Sequence, residues 1–404
     1  MVLRVACILT GKIPRCTAKN KTRFKKIRIF QFFVAKKLKT GYIVRITERN
    51  SIMQNHRIWA TVDLNALRKN FEYVCSRAPG MNVTGIVKAN AYGMGVHPVA
   101  ETLKQAGCSR FGVATCKEGL ELLKYGLPVQ LLGAVPDFEL PDVVKNGIVT
   151  GITDYETAER FSAEAVRQNR TMECHFKLDT GMGRLGILYY DAPELIRAVS
   201  KLPGLDCCGI YSHFPQVGSP LAAEQVKRFK QVLNDVENDG IRFRHIHMAN
   251  SDAIESLDEV LGAPFNGVRA GLILHKNVLT LQATLGAVRK MPAGYSIGYN
   301  QTHVLKNDTT VGTVCAGYAD GLPLALSNRG MTICNGEKCP VIGRVSMDYT
   351  TIDLSSCPDA KAGDVVTLIS PDVPASAWAE LKGSHEYDIF CSISQRVPRI
   401  YTGT

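Results

Sequence analysis

The chain has 404 residues, 45% hydrophobic and 21% charged, with 35 glycines, 13 cysteines and a formal net charge of +11. That length and apolar fraction support a sizeable core in one large domain plus a smaller one, or in two to three domains, and exclude a collagenous or wholly disordered chain. The charge sits at one end: residues 1–52 carry fourteen Lys and Arg against the single acid Glu48, which leaves 34 basic and 36 acidic residues, net −2, in the rest. A near-neutral body gives no reason to expect nucleic acid as a partner.

Residues 1–52 read as a basic extension, disordered or not native. A transit peptide, a nucleic-acid arm and upstream sequence ahead of a later start all share such a composition. A secretory layout is absent, because the longest apolar run, Ile29 to Ala35, is broken by Gln31 and lies among lysines. Met53 stands just before the first orderly pattern, Ile58 to Leu64, and residues 53–64 are expected to form a short strand segment joining the β domain. No run of about 18 apolar residues occurs, so no membrane-spanning helix is expected.

From residue 83 to 275, short β-branched runs alternate with amphipathic stretches of helical length. The predicted strands are Val83–Ala89, Phe111–Thr115, Gln130–Ala134, Ile148–Ile152, Glu173–Leu178, Cys208–Phe214, His245–Met248 and Gly267–Leu272. Thr153 and Glu156 have capping-box spacing ahead of a helix to Asn169, and Leu221–Asp239 has helical periodicity through Val226, Phe229, Val232, Leu233 and Val236. Eight β/α repeats point to an α/β fold, a (β/α)8 TIM-type barrel over 65–291, followed by a mainly β C-terminal domain over 292–404. In the latter, Asn335-Gly336 marks a hairpin.

The cysteines are scattered, with no C-x-x-C pair, which suits a reducing cytoplasm better than a disulfide framework and gives no paired ligand spacing for a metal. In a barrel, reactive side chains belong at the C-terminal ends of the strands. Lys88 ends the first predicted strand, Lys177 the fifth and His213 the sixth; Asn250 and Ser251 follow the seventh, and Arg269 lies in the eighth. A partly buried lysine is a candidate Schiff-base nucleophile, or simply a side chain reaching from the strand end into solvent. The loops after strands 7 and 8, with Ser251 and the backbone of Gly271 and Leu272, suit a phosphate. Gly181 to Gly186 matches the dinucleotide pattern G-x-G-x-x-G, but Ile187 to Tyr190 intervene before a helix can start near Asp191. Tyr318, after an apolar run, is either a packing residue or a base that needs a cationic neighbour.

Several motifs occur together in the order seen in alanine racemases: Val87 to Gly93, Lys177 to Gly186, His213-Phe214, Ala249 to Ser251, Val268 to Gly271, Gly317 to Gly321, Gly343 to Asp348, and Arg396 to Arg399. From about residue 56 to the end, the chain resembles that family. The resemblance implies pyridoxal 5′-phosphate as cofactor, a homodimer with shared active sites, and interconversion of L- and D-alanine for peptidoglycan. By the same resemblance, Lys88 holds the cofactor covalently, and Tyr92, Ser251, Gly271 and Leu272 hold its phosphate. Asn250 also belongs to the cofactor site. His213 lies against the ring, Arg269 meets the ring nitrogen and Arg184 the phenolic oxygen. Arg184 and Met347 bind substrate, and Lys177 is a possible carbamylation site. Lys88 and Tyr318 are the two catalytic bases, with Tyr318 and Met347 supplied by the other subunit.

The chain departs from the family at Met94, where His is common, at His275, where Tyr often stands, and at Gln395, where some members have Tyr. These departures leave room for a serine or broad-specificity racemase. A non-catalytic carrier of the cofactor has no use for Tyr318, and a decarboxylase of this fold would carry an acid where Arg269 stands. A protein starting at Met53 is expected to keep full activity, measured as alanine racemisation per mole; loss of activity or folding on that truncation would give the basic extension a role.

Overall fold

The computed structural model describes residues 56–403. The reading of 1–52 as an extension, and the start of the 53–64 segment, lie outside the described residues. Strand β1 (Ile58–Asp63) ends on an aspartate that also caps the next helix, Leu64–Arg77: Asp63 accepts from the backbone of Asn65 and Ala66 at 2.9 and 3.2 Å. That helix buries Leu64, Leu67, Phe71 and Val74, one face at helical spacing.

The barrel strands are β2 (Asn82–Ile86), β3 (Arg110–Val113), β4 (Val129–Leu131), β5 (Val149–Ile152), β6 (Met172–Asp179), β8 (Leu205–Tyr211), β9 (His245–His247) and β10 (Gly267–Ala270), with the short β7 (Ile187–Leu188) pairing beside β6. All barrel ladders are parallel, β10 pairs back onto β2, and bonds from Asn266 N to Ile246 O (3.0 Å) and Arg269 N to Ala249 O (3.0 Å) link β9 to β10. The eight expected strands are therefore present as a barrel. Their C-terminal ends fall earlier than expected in most cases: β2 stops at Ile86, so Lys88 opens a tight turn, and β8 stops at Tyr211, so His213 lies in the loop. The cap of the helix Tyr155–Arg167 is Asp154, not Thr153; the Asp154 carboxylate accepts from Thr157 N at 2.7 Å, and Thr153 donates its hydroxyl to Asp154.

The changeover to the second sheet lies near residue 278, not 291. The strand β11 (Leu279–Met291) pairs antiparallel with β1, with β14 (Thr309–Val314) and with β18 (Val365–Ile369), at the centre of the β domain. Between these strands stand β12 (Ser296–Ile297), β13 (His303–Val304), β15 (Met331–Cys334), β16 (Glu337–Pro340) and β17 (Thr350–Asp353). Strand β19 (Arg399–Thr402) returns the chain end parallel to β1. Asn335 and Gly336 both take positive φ (48° and 88°) in the tight β15–β16 turn, as that dipeptide demands.

The barrel interior carries charge as well as aliphatic side chains. His175 and His247 are buried, and burial together with neighbouring cations pushes both down, His175 to about 4; His275 is also held near 4 by burial. The unfolded chain takes up protons on these rings near pH 6.5, whereas in the folded chain His175 and His275 resist until about 4 and His247 is held well below its ordinary range. Stability is therefore fully present above pH 6.5 and should fall as pH drops toward 4, by about 1.4 kcal/mol per pH unit for each such histidine. Urea unfolding across this range checks it; a flat profile would contradict the neutral, buried rings.

Candidate active site

A cavity of about 770 Å³ opens at the C-terminal ends of the barrel strands. Lys88, Tyr92, Lys177, Arg184, His213, Asn250, Ser251, Arg269, Gly271 and Leu272 all line it. The rim expected from sequence is thus one place.

Lys88 leads into four consecutive non-glycine residues with left-handed backbone, Ala89 to Tyr92, at φ of 52–55°. Such backbone costs roughly 1–3 kcal/mol per residue and persists only when its surroundings hold it. Here Glu118 accepts from Ala89 N at 2.7 Å, Asn90 Oδ1 accepts from Val96 N at 2.7 Å, and Gly93 N and Gly95 N close back on Ala89 and Asn90. The turn aims Tyr92 at the strand β10 end, where a Cβ on Gly271 would stand 2.8 Å from the Tyr92 hydroxyl. Ser251 Oγ accepts from Gly271 N (3.1 Å) and Ile273 N (3.3 Å) and remains in the cavity wall with one proton to donate. Two hydroxyls and a side-chain-free backbone are the donor set a phosphate needs.

Partial burial and then the nearby Arg184 lower the Lys88 amine, with Glu118 opposing. Lys177 is pushed down to about 8 by burial and by Arg269, Arg184 and Lys88. Burial and Arg269 hold the His213 ring near 3, hence neutral. Arg269, 5% exposed, is lowered by burial only to about 10 and stays charged. Its Nη1 donates to His247 Nδ1 (2.6 Å) and His247 O (3.2 Å); its Nη2 donates to Ser212 O (2.7 Å), Met248 O (3.0 Å) and His213 Nδ1 (3.3 Å). Among the described residues nothing accepts from Nε, which is left for an acceptor in the cavity.

The G-x-G-x-x-G segment binds no nucleotide in this arrangement. The amides of Gly181, Met182 and Gly183 all donate to the carboxylate of Asp179, at 2.8–2.9 Å, and the helix begins only at Ala192. The loop serves to present Arg184.

Two expected residues lie elsewhere. Tyr318 and Met347 do not line the Lys88 cavity of their own chain, and both are solvent-exposed, at 44% and 53%. They are fastened to each other: Tyr318 N donates to Ser346 O and Ala319 N to Met347 O, both at 3.0 Å, and a Cβ on Gly317 would collide with Ser346 O at 2.3 Å. Arg396 ties both loops, to Asp320 (2.7 Å) and Asp348 (2.8 Å). Sequence reasoning missed Tyr211, Tyr387, Asp388 and Cys391, which also line the cavity. Tyr211 ends strand β8 two residues before His213, a spacing the sequence offers; the other three come from the helix Glu386–Ser392 of the β domain, which no local pattern connects to the barrel.

A barrel of this kind, with a lysine and a phosphate cradle at its mouth and a β domain behind, defines the class of barrel enzymes built around pyridoxal phosphate. Profiles of the alanine racemase N-terminal and C-terminal domains match residues 62–277 and 278–401. Alanine racemases of Carboxydothermus hydrogenoformans and Halothermothrix orenii are 34% and 35% identical over 85% of this chain and 99% and 96% of their own. The structure is similar to alanine racemase from Streptomyces lavendulae, with a TM-score of 0.81 and 30% identity over 86% of this chain and 97% of that one. It is also similar to the Bartonella henselae enzyme described with covalently bound pyridoxal phosphate, with a TM-score of 0.78 and 29% identity over 86% and 100%. The chain belongs to the alanine racemase family.

Asp320→Ala removes the acceptor for Gly317 N and one of the two Arg396 anchors, while touching nothing around Lys88. It should lower turnover by roughly tenfold or more through the displaced Tyr318 loop, with the visible absorbance of bound cofactor retained. Undiminished turnover would show that these loops need no such fastening.

Proposed function

We propose that the chain interconverts L- and D-alanine, using pyridoxal 5′-phosphate held at Lys88, and that two chains complete one another's sites. The observation that carries this reading is the separation of Tyr318 and Met347 from a cavity that already holds every other expected group. In the same domain Tyr295, Tyr299 and Tyr349 are also exposed, aromatic surface suited to a second copy. No helix among the described residues is long and apolar enough to cross a membrane, and the thiols that are described are free; both agree with a cytoplasmic enzyme supplying D-alanine to peptidoglycan.

The residues fit the cofactor: the Gly271 and Tyr92 cradle with Ser251 suits its phosphate, and the free Nε of Arg269 suits its ring nitrogen. When bound, the cofactor accepts electron density from the substrate's Cα and so eases proton removal there. Arg269 donates a hydrogen bond to the ring while keeping its proton, which limits electron withdrawal and disfavours transamination. His213 stays neutral beside it. Arg184 serves the phenolic oxygen and the substrate carboxylate, and Met347 of the second chain closes the substrate side. Lys88 takes the α-proton of D-alanine on one face, and Tyr318 of the second chain takes that of L-alanine on the other; each returns a proton to the product of the opposite direction. Lys177, with a neutral fraction near pH 8 and three cations around it, is suited to become a carbamate that holds Arg184.

L-Alanine should turn over faster than L-serine, L-lysine or L-arginine; preference for any of these would replace the alanine reading by a broader racemase. In deuterated water, Tyr318→Phe should lose α-proton exchange from L-alanine far more than from D-alanine, and Lys88→Ala should lose the visible band of bound cofactor. Unchanged exchange in both directions for Tyr318→Phe would remove the two-base mechanism, and with it the need for shared sites.

A further inference from the structure

A column of polar side chains runs down the barrel interior below Arg269. Glu173, His175 and Lys177 alternate along β6, His245 and His247 along β9, and Arg110 and Gln130 reach in from β3 and β4. At its far end, donor atoms of Glu173, His175, Cys208 and His245 gather within 4.8 Å, a set that resembles a zinc site. The cation among them is the protein's own: Arg110 lies 2.9 Å from Glu173, 3.2 Å from His175 Nε2 and 3.4 Å from His245 Nε2.

Arg269 fixes the direction of the hydrogen bonds at the upper end of this column. A guanidinium only donates, so at 2.6 Å from Arg269 Nη1 the His247 Nδ1 must accept. The ring is neutral, so its one proton is on Nε2, which lies 3.4 Å from His175 Nδ1. His175 Nδ1 must then accept, as it also does from Gln130 Nε2 at 3.1 Å. The single proton of His175 is therefore on Nε2, where it needs an acceptor. Arg110 Nη1, nearer at 3.2 Å, is a donor and opposes that proton; Glu173 Oε1, at 3.4 Å, is the acceptor that keeps it on Nε2. Left to Arg110 alone, His175 would carry its proton on Nδ1, facing the His247 Nε2–H that Arg269 imposes.

We propose that Glu173 is a positioning residue for Arg269: its carboxylate holds the His175 proton on Nε2, so that His175 Nδ1 accepts from the Nε2–H that Arg269 imposes on His247. Its effect on turnover rests on the reading of Arg269 as the partner of the cofactor ring; the tautomers do not.

The test uses cofactor-loaded enzyme with ring-15N-labelled histidine. In the wild type, His175 and His247 should both be Nε2–H tautomers. Glu173→Leu should reverse His175, press it against the His247 Nε2–H, and lower kcat in both directions by between roughly ten- and a hundredfold, with KM moving less. Glu173→Gln, which keeps an acceptor oxygen, should restore tautomer and rate. An Nδ1–H tautomer at His175 or His247 in the wild type overturns the proposal even if Glu173→Leu fails to fold. So does a loss of kcat in Glu173→Leu without a change of tautomer, or a Gln variant no better than Leu. A reversed His175 tautomer with unchanged kcat would uphold the relay and overturn the role of Arg269 at the ring.

Discussion

A permanently charged guanidinium sealed inside a barrel sets the terms for everything around it. Arg269 is 5% exposed and has no carboxylate partner among the described residues; carbonyl oxygens of Ser212, His247 and Met248 and two imidazoles accept its hydrogen bonds. Bonds of this kind solvate the charge without neutralising it, so the cation remains available to the cavity and lowers every basic group within reach. His213 and His247 are neutral for that reason as well as through burial, and Lys177 falls to about 8. A carboxylate in place of those carbonyls would have cancelled the field that the mouth of the barrel uses.

The strained turn after Lys88 is the mechanical counterpart. Four left-handed residues shorten the path from the strand to Tyr92, so the lysine and the tyrosine face one cavity from a single turn. Glu118 holds both the start of that turn and the loop after β3, through Ala89, Ala114 and Thr115, and therefore couples two barrel loops through one carboxylate. On the far side Arg399 donates to Gly93 O at 2.9 Å and to carbonyls of Ile393, Ser394 and Val397, so the end of the chain braces the same turn. The β domain thereby supports the lysine site of its own chain while displaying Tyr318 away from it.

The alternation of strand and helix signals was enough to find all eight barrel strands, because short β-branched runs between amphipathic segments leave few other solutions. It failed at Lys88, where Ala-Asn-Ala-Tyr has no glycine to announce positive φ; only tertiary hydrogen bonds impose it. The boundary at 291 failed because β11 follows the last barrel strand after one short helical turn, and its partners β1 and β18 are far away in sequence. Thr153 lost the helix cap to its neighbour Asp154, a stronger acceptor one residue nearer the helix. The cavity residues were legible where they sit at strand ends. His175 and Tyr211 stand two residues before the recognised Lys177 and His213, and counting back by two from those would have found them.

The polar column explains why such an interior is compatible with stability at all. A buried ionised group is tolerated when each proton has an acceptor and each acceptor a proton. Here the sequence of donors runs one way, from Arg269 through His247 and His175 to Glu173, and ends on a carboxylate that Arg110 also satisfies. Arg110 Nη1 stands 3.2 Å from His175 Nε2, so the proton there is held against a second donor and the Glu173 carboxylate decides its place. At the upper end the Arg269 guanidinium is tied by Nη1 and Nη2 to three carbonyls and two rings, which fixes its position as a hydrogen bond to a cofactor ring would require.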